Sequence, residues 1–193
     1  KCPSEMLRVW LPWGVMPRDA SGVFSGKVTF LETESTSKVI ANLKGDNVRL
    51  AGFRFPENEP AVFTSEILLG DDFQHARAQK TILHAGKGLA IVFEQTELTF
   101  SPFSIRTRLV VNGNLAEIAE GYGNQYEWRG NLTGTIPLTY ENNTLTIRPD
   151  LAVDEGCFDS FTTASDVPAT LIGKLTYNSN TNQIRFDRFS FVW

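Results

Sequence analysis

The segment Gln183–Trp193 (QIRFDRFSFVW) changes its apolar side halfway along. Side chains on a strand alternate with a period of two, so Ile184 and Phe186 fall on one face and Phe189, Phe191 and Trp193 on the other. One regular strand against one core cannot bury both sets. Either the strand is covered on both faces, or a bulge near Asp187 swaps them. Leu89–Phe100 poses the same problem, with Leu89, Ile91 and Phe93 on one face and Leu98 and Phe100 on the other. Ser104–Asn112 stays regular, setting Ile105, Leu109 and Val111 opposite Arg106 and Arg108. Strands that switch faces belong to the corners of barrels and to strongly coiled sheets.

Strand-like segments dominate the chain. Val23–Leu31, Lys38–Leu43, Asn47–Phe53, Ala61–Leu69, Lys80–His84, Gln125–Tyr140, Thr144–Arg148 and Ala169–Tyr177 join the three above. Each is short, β-branched or aromatic, and bounded by Gly, Pro, Asn or Asp. Their close spacing leaves no room for crossover helices and implies antiparallel meanders. Two hairpins are expected, turning at Tyr140–Asn143 and at Asn178–Asn182, where Asn tolerates left-handed backbone angles. Pro137 lacks an amide hydrogen, which points to an edge or bulged strand. Asp72–Lys80 and Asn114–Glu120 are the helical candidates; in the second, Asn114 caps and Gly121 stops. The expected fold is all-β and mainly antiparallel, a strongly coiled sheet or barrel-like domain of roughly ten strands with short peripheral helical turns. Residues 1–193 form one domain, with an N-terminal aromatic segment (1–20) packed on it and a long loop over 149–168.

At 193 residues the chain can bury a real core. Fourteen Phe against four Tyr and two Met is its unusual balance, and Phe suits dry interiors and apolar pockets because it carries no polar handle. A net charge of −4 with scattered basic residues argues against nucleic acid and against charge-driven docking on anionic membranes. No apolar run approaches the roughly 18 residues of a membrane helix, so no transmembrane segment is expected, and the N-terminus lacks a signal-peptide layout.

Cys2 and Cys157 have no CxxC partner and no nearby His, which excludes a zinc site. They read as a disulfide, whose loop of about 155 residues would contribute roughly 4–5 kcal/mol in the chain-entropy model. That reading favours an extracytoplasmic location, whether periplasmic, cell-surface or secreted. The sequons at Asn131 and Asn142 occur at chance frequency and carry no weight.

Catalytic motifs are missing. His75 and His84 are nine residues apart, with Asp71 and Asp72 the nearest acids, and both read as ordinary strand or surface residues. Gly22-Val-Phe-Ser25-Gly26 has its serine one position late for a nucleophile elbow. Gly121-Tyr-Gly123 and Gly86-Lys-Gly88 lack the rest of a nucleotide loop. Asp150, Asp154, Glu155 and Asp159 crowd one loop, but in no EF-hand pattern. Glu94 and Glu97 fall on opposite faces of a regular strand unless a bulge intervenes. Arg106 and Arg108 share a polar face, as a solvated pair or as a clamp for an anionic group. No metal and no cofactor is implied.

The leading expectation is a non-enzymatic binding domain that holds an apolar or amphipathic, lipid-like small molecule in a Phe-rich β interior. Phe93, Phe100, Phe186 and Phe191 are the lining residues, with Trp10 and Trp13 as a further contact segment. The alternative is an adhesion or envelope-assembly module. It would meet a protein or glycan through exposed aromatics near Trp10 and Trp13, or through a free edge such as the Pro137 hairpin.

Overall fold

The computed structural model describes residues 2–3, 21–33, 36–50, 53–55, 60–71, 73–86, 88–123, 127–159, 161–163 and 167–192. They form one 14-stranded antiparallel sheet. In chain order its strands are β1 (Cys2–Pro3), β2 (Ser21–Glu32), β3 (Ser37–Leu50), β4 (Phe53–Arg54), β5 (Ala61–Leu69), β6 (His75–Ala85) and β7 (Leu89–Phe100). The rest are β8 (Phe103–Asn114), β9 (Trp128–Glu141), β10 (Thr144–Ile147), β11 (Asp150–Phe158), β12 (Phe161–Thr162), β13 (Ala169–Asn178) and β14 (Gln183–Val192). Helix α1 (Leu115–Gly121) joins β8 to β9.

The topology is a meander. Each long strand pairs with the one before it, and β4 and β12 are short spurs on β3 and β11. β10 and β11 are one strand in two pieces: both lie between β9 and β13, and the register carries through the join at Arg148 and Pro149 before it shifts between Asp154 and Cys157. Among the described residues the sheet is open rather than barrel-like, because β14 pairs only with β13 and the outer side of β2 only with β1.

Register explains the face-switching strands. In β14 the pairing with β13 slips between Ile172–Ser190 and Lys174–Asp187, and Arg188 takes a positive φ of 51°. The extra residue restores parity, so Ile184, Phe186, Phe189 and Phe191 all fall on one face. β7 does the same between Glu94 and Glu97, where Gln95 has φ 51°, and Leu98 and Phe100 rejoin Leu89, Ile91 and Phe93. A third slip in β6, at Gln79, keeps Ala76 and Ala78 level with Thr81 and Leu83. Of the two solutions open to QIRFDRFSFVW, the bulge is the one adopted. Each bulge also adds twist, which coils the sheet.

Local chemistry accounts for the turns. Asn142 and Asn143 both adopt positive φ, 48° and 59°, as a two-residue hairpin turn requires. The second hairpin turns through Ser179–Asn182, where Asn178 Oδ1 accepts from the amides of Asn180 and Thr181. Asn114 caps α1, its Oδ1 accepting from the amide of Ala116 at 2.9 Å. The Ser101–Pro102 peptide between β7 and β8 is cis.

Three expectations are corrected. His75–Lys80 is strand, not helix: it pairs with β5 and β7 on either side, Ala76 and Ala78 are buried between them, and that tertiary burial outweighs their helix propensity. Residues 150–158 of the supposed long loop are β11, paired on both sides despite their acidic composition. Pro137 stands in an interior strand: the amide of Arg148 donates to its carbonyl at 3.0 Å, and the return bond is the one proline cannot make. That missing bond lies where β10 gives way to β11. Apart from Cys2 and Pro3, the N-terminal segment lies outside the described residues.

Candidate functional site

Tracing the register from strand to strand separates two faces. One collects Val28 and Phe30 of β2, Phe63 and Ile67 of β5, Ile91 and Phe93 of β7, and Ile105 and Leu109 of β8. It continues through Ile136 and Leu138 of β9, Leu145 and Ile147 of β10, and Leu175 and Tyr177 of β13 to Ile184 and Phe186 of β14. The other face is mainly polar, with Lys38, Glu66, His84, Glu94, Arg106, Arg108, Thr139, Lys174 and Asp187, and carries an apolar row of Ile82, Val92 and Val110. A sheet apolar on one face needs a second layer on that face.

Among the described residues that layer is partial. α1 and the β4 region cover one end of the apolar face. Phe53, Phe55, Val48, Ala61 and Ala85 pack as one cluster there, and Leu115, Val153 and Ala169 as another. Phe53 meets Phe55 and Tyr122 edge to face, at centroid distances of 5.1 and 5.2 Å. Trp128 and Phe158 close the same end at 5.6 Å. Beyond this cap no described element lies over the face. The side chains fully or nearly buried there are small: Ala76, Ala78, Ser65, Thr81, Thr96 and Thr107. The larger ones around them, Phe63, Leu83, Ile91, Phe93 and Leu109, stay half-buried. Small residues thus form the floor of a furrow whose sides are large apolar groups.

Two hydroxyl pairs lie on that floor. Ser65 Oγ meets Thr81 Oγ1, and Thr96 Oγ1 meets Thr107 Oγ1, each at 2.7 Å. Each pair shares a hydrogen bond, and the Thr107 hydroxyl also donates to the Glu94 carbonyl oxygen at 3.4 Å, so the hydroxyls can be buried without water. Both pairs sit beside the bulges of β6 and β7.

All four Phe residues expected to line a site share this face. Phe93 is half-buried, while Phe100, Phe186 and Phe191 are exposed. The rings of Phe103 and Tyr140 lie 5.8 Å apart on the same face. Trp10 and Trp13 lie outside the described residues. Sequence reasoning missed the small-residue floor, because Ala and Thr scattered over several strands show no pattern until registers are known.

The polar face is a different surface. A depression of about 950 Å³ there is bordered by Arg77, Arg106, Arg108 and Arg148 together with Glu97 and Glu141. Arg77 pairs with Glu97 at 3.2 Å. The β7 bulge brings Glu94 and Glu97 onto this one face, opposite Arg108 and Arg106 respectively. The depression is thus bordered by four arginines and two glutamates, a small net positive charge that the neighbouring Glu94 reduces further. His75 and His84 sit at opposite ends of β6, with His75 Nδ1 3.3 Å from Thr99 Oγ1. Among the described residues no three His, Cys, Asp or Glu are placed to hold a metal, the Asp150–Asp159 acids included.

The expected disulfide is corrected too. Cys157 is a free thiol whose Sγ lies 3.4 Å from the Asp159 carbonyl oxygen. Cys2 pairs through its backbone with Phe24 at the β2 edge, whereas Cys157 lies in β11 between β9 and β13. Many strands separate them, and a bridge needs Cα atoms within about 7 Å. The cysteines no longer argue for an oxidising compartment. No helix among the described residues is long and apolar enough to cross a membrane.

Comparison with protein-family models, with curated proteins and with solved structures finds no match.

Proposed function

We propose that this protein is a non-catalytic carrier that holds an apolar or amphipathic, lipid-like ligand along the furrow of its open sheet. One observation carries the reading: an apolar face runs from β2 to β14, kept in phase by bulges, and the described residues cap it at one end only. Contiguous apolar patches beyond a few hundred Å² are rare on soluble proteins and usually mark a binding surface. The ligand would lie along an open trough rather than in the closed interior expected of a barrel. Acyl chains suit such a site, because burial there needs no directional hydrogen bonds.

Native and denaturing mass spectra of the purified protein, paired with an organic extract, test the reading. Extra native mass that disappears on denaturation, with a matching lipid in the extract, supports it. A clean apo mass, together with no saturable uptake of a fluorescent fatty acid, overturns it.

A further inference from the structure

Both edges of the sheet end in apolar side chains exposed to water. On β14, Ile184 and Phe186 are 60% and 62% exposed; on β2, Val28 and Phe30 are 61% and 52% exposed. All four belong to the apolar face. Among the described residues β14 is paired on one side only, and the outer side of β2 meets β1 at Val23 and Phe24 alone. Such edges present rows of backbone donors and acceptors that template pairing with another strand. The bulge at Arg188 leaves Gln183–Asp187 regular, and nothing in Ser25–Leu31 blocks a ladder.

Strand direction makes the two edges complementary. The path β2, β3, β5, β6, β7, β8, β9, β10–β11, β13, β14 alternates in sense at every step, so β14 runs antiparallel to β2. A second copy in the same orientation therefore offers β14 an antiparallel β2, with the apolar face on the same side. We propose that β14 of one copy pairs head to tail with β2 of the next, continuing the apolar face across the junction. Setting Phe186 against Val28 places Ile184 against Phe30, and Asp187 then falls opposite Lys27 on the polar face. That register matches apolar with apolar and acid with base. Pairing β14 with itself about Phe186 would put Ile184 opposite Arg188 at the bulge, and would leave Val28 and Phe30 in water. The junction is short, so association is weak and concentration-dependent, and it is heterologous, so copies add in series. It does not require that the furrow hold a ligand.

The test uses cysteine pairs in a Cys2→Ser, Cys157→Ser background. Thr29 and Arg185 face each other in this register, so the Thr29→Cys, Arg185→Cys protein should give a ladder of covalent oligomers on mild oxidation. Adding Phe186→Lys, at a site already exposed, should abolish the ladder while leaving the circular dichroism spectrum unchanged. Three results would overturn the proposal. One is dimers from Arg185→Cys alone, which mean that β14 pairs with itself. Another is a bridge within one chain, which means that the edges meet in the monomer. The third is no cross-link at all, with sedimentation showing a monomer at every concentration.

Discussion

The rings of Phe186 and Phe189 meet edge to face, 5.8 Å apart at 85°, although the residues are three apart on one strand. Residues separated by three on a regular strand point to opposite faces. Their contact is the side-chain signature of the bulge at Arg188, and Gly173 on β13 makes room for it. A Cβ at Gly173 would fall inside van der Waals contact with the Phe189 ring.

Deleting Arg188 should leave the apolar face intact. Without the extra residue Ile184, Phe186, Phe189 and Phe191 alternate regularly with the polar positions, and Phe189 falls directly opposite Gly173. Unfolding in urea should therefore shift by less than about 1 kcal/mol. A larger loss, or faster amide exchange along the whole of β14, would mean that the bulge does more than keep the face in phase.

The Thr96–Thr107 pair invites a double-mutant cycle. Thr107→Val removes one hydroxyl and leaves the other buried without its partner, which should cost about 1–3 kcal/mol. Thr96→Val, Thr107→Val removes both, and should recover most of that loss because the methyl groups suit the apolar floor. Additive losses in the cycle would show that the two hydroxyls act independently.

How much of this was legible in the sequence follows from what is local and what is not. The Asn142-Asn143 turn, the Asn114 cap and the need for a bulge in β14 are written in short stretches, and the fold class follows from them. The His75–Lys80 strand was not legible, since its Ala residues are good helix formers and only their neighbours hold them extended. β11 was hidden because its acids lie on a solvated face while its apolar partners are on β9 and β13. Pro137 misled for a related reason: interior position depends on pairing with Arg108 and Arg148, far away in sequence. The four Phe residues share one face only because of the bulges in β7 and β14, and the small-residue floor beneath them was beyond reach. Its members come from β5, β6, β7 and β8, and only the registers bring them together.

Cys157 should behave as a free thiol. Ellman's reagent should titrate it in the unfolded chain, and the denatured mass should not rise by about 2 Da on reduction, the gain a bridge would show. Cys157→Ser should change stability by no more than about 0.5 kcal/mol, because the side chain is half-buried and its one polar contact is weak. A gain in mass would show that Cys2 reaches it after all.

The two ends of the furrow should separate stability from binding. Phe93 lies on a central strand between Thr81 and Leu109, so Phe93→Ala removes packing from the folded protein. It should cost about 1–3 kcal/mol, below the 3–5 kcal/mol typical of a fully buried Phe. Phe186 is 62% exposed, so Phe186→Ser should leave the unfolding midpoint nearly unchanged. If the open part of the face holds an acyl chain, that same exposed ring becomes covered on binding, and covering it contributes on the order of 1.5 kcal/mol. Phe186→Ser should then weaken uptake of a fluorescent fatty acid roughly tenfold at dilutions where the protein is monomeric. Equal affinity for wild type and Phe186→Ser would remove β14 from the site and confine any ligand to the capped end, against α1.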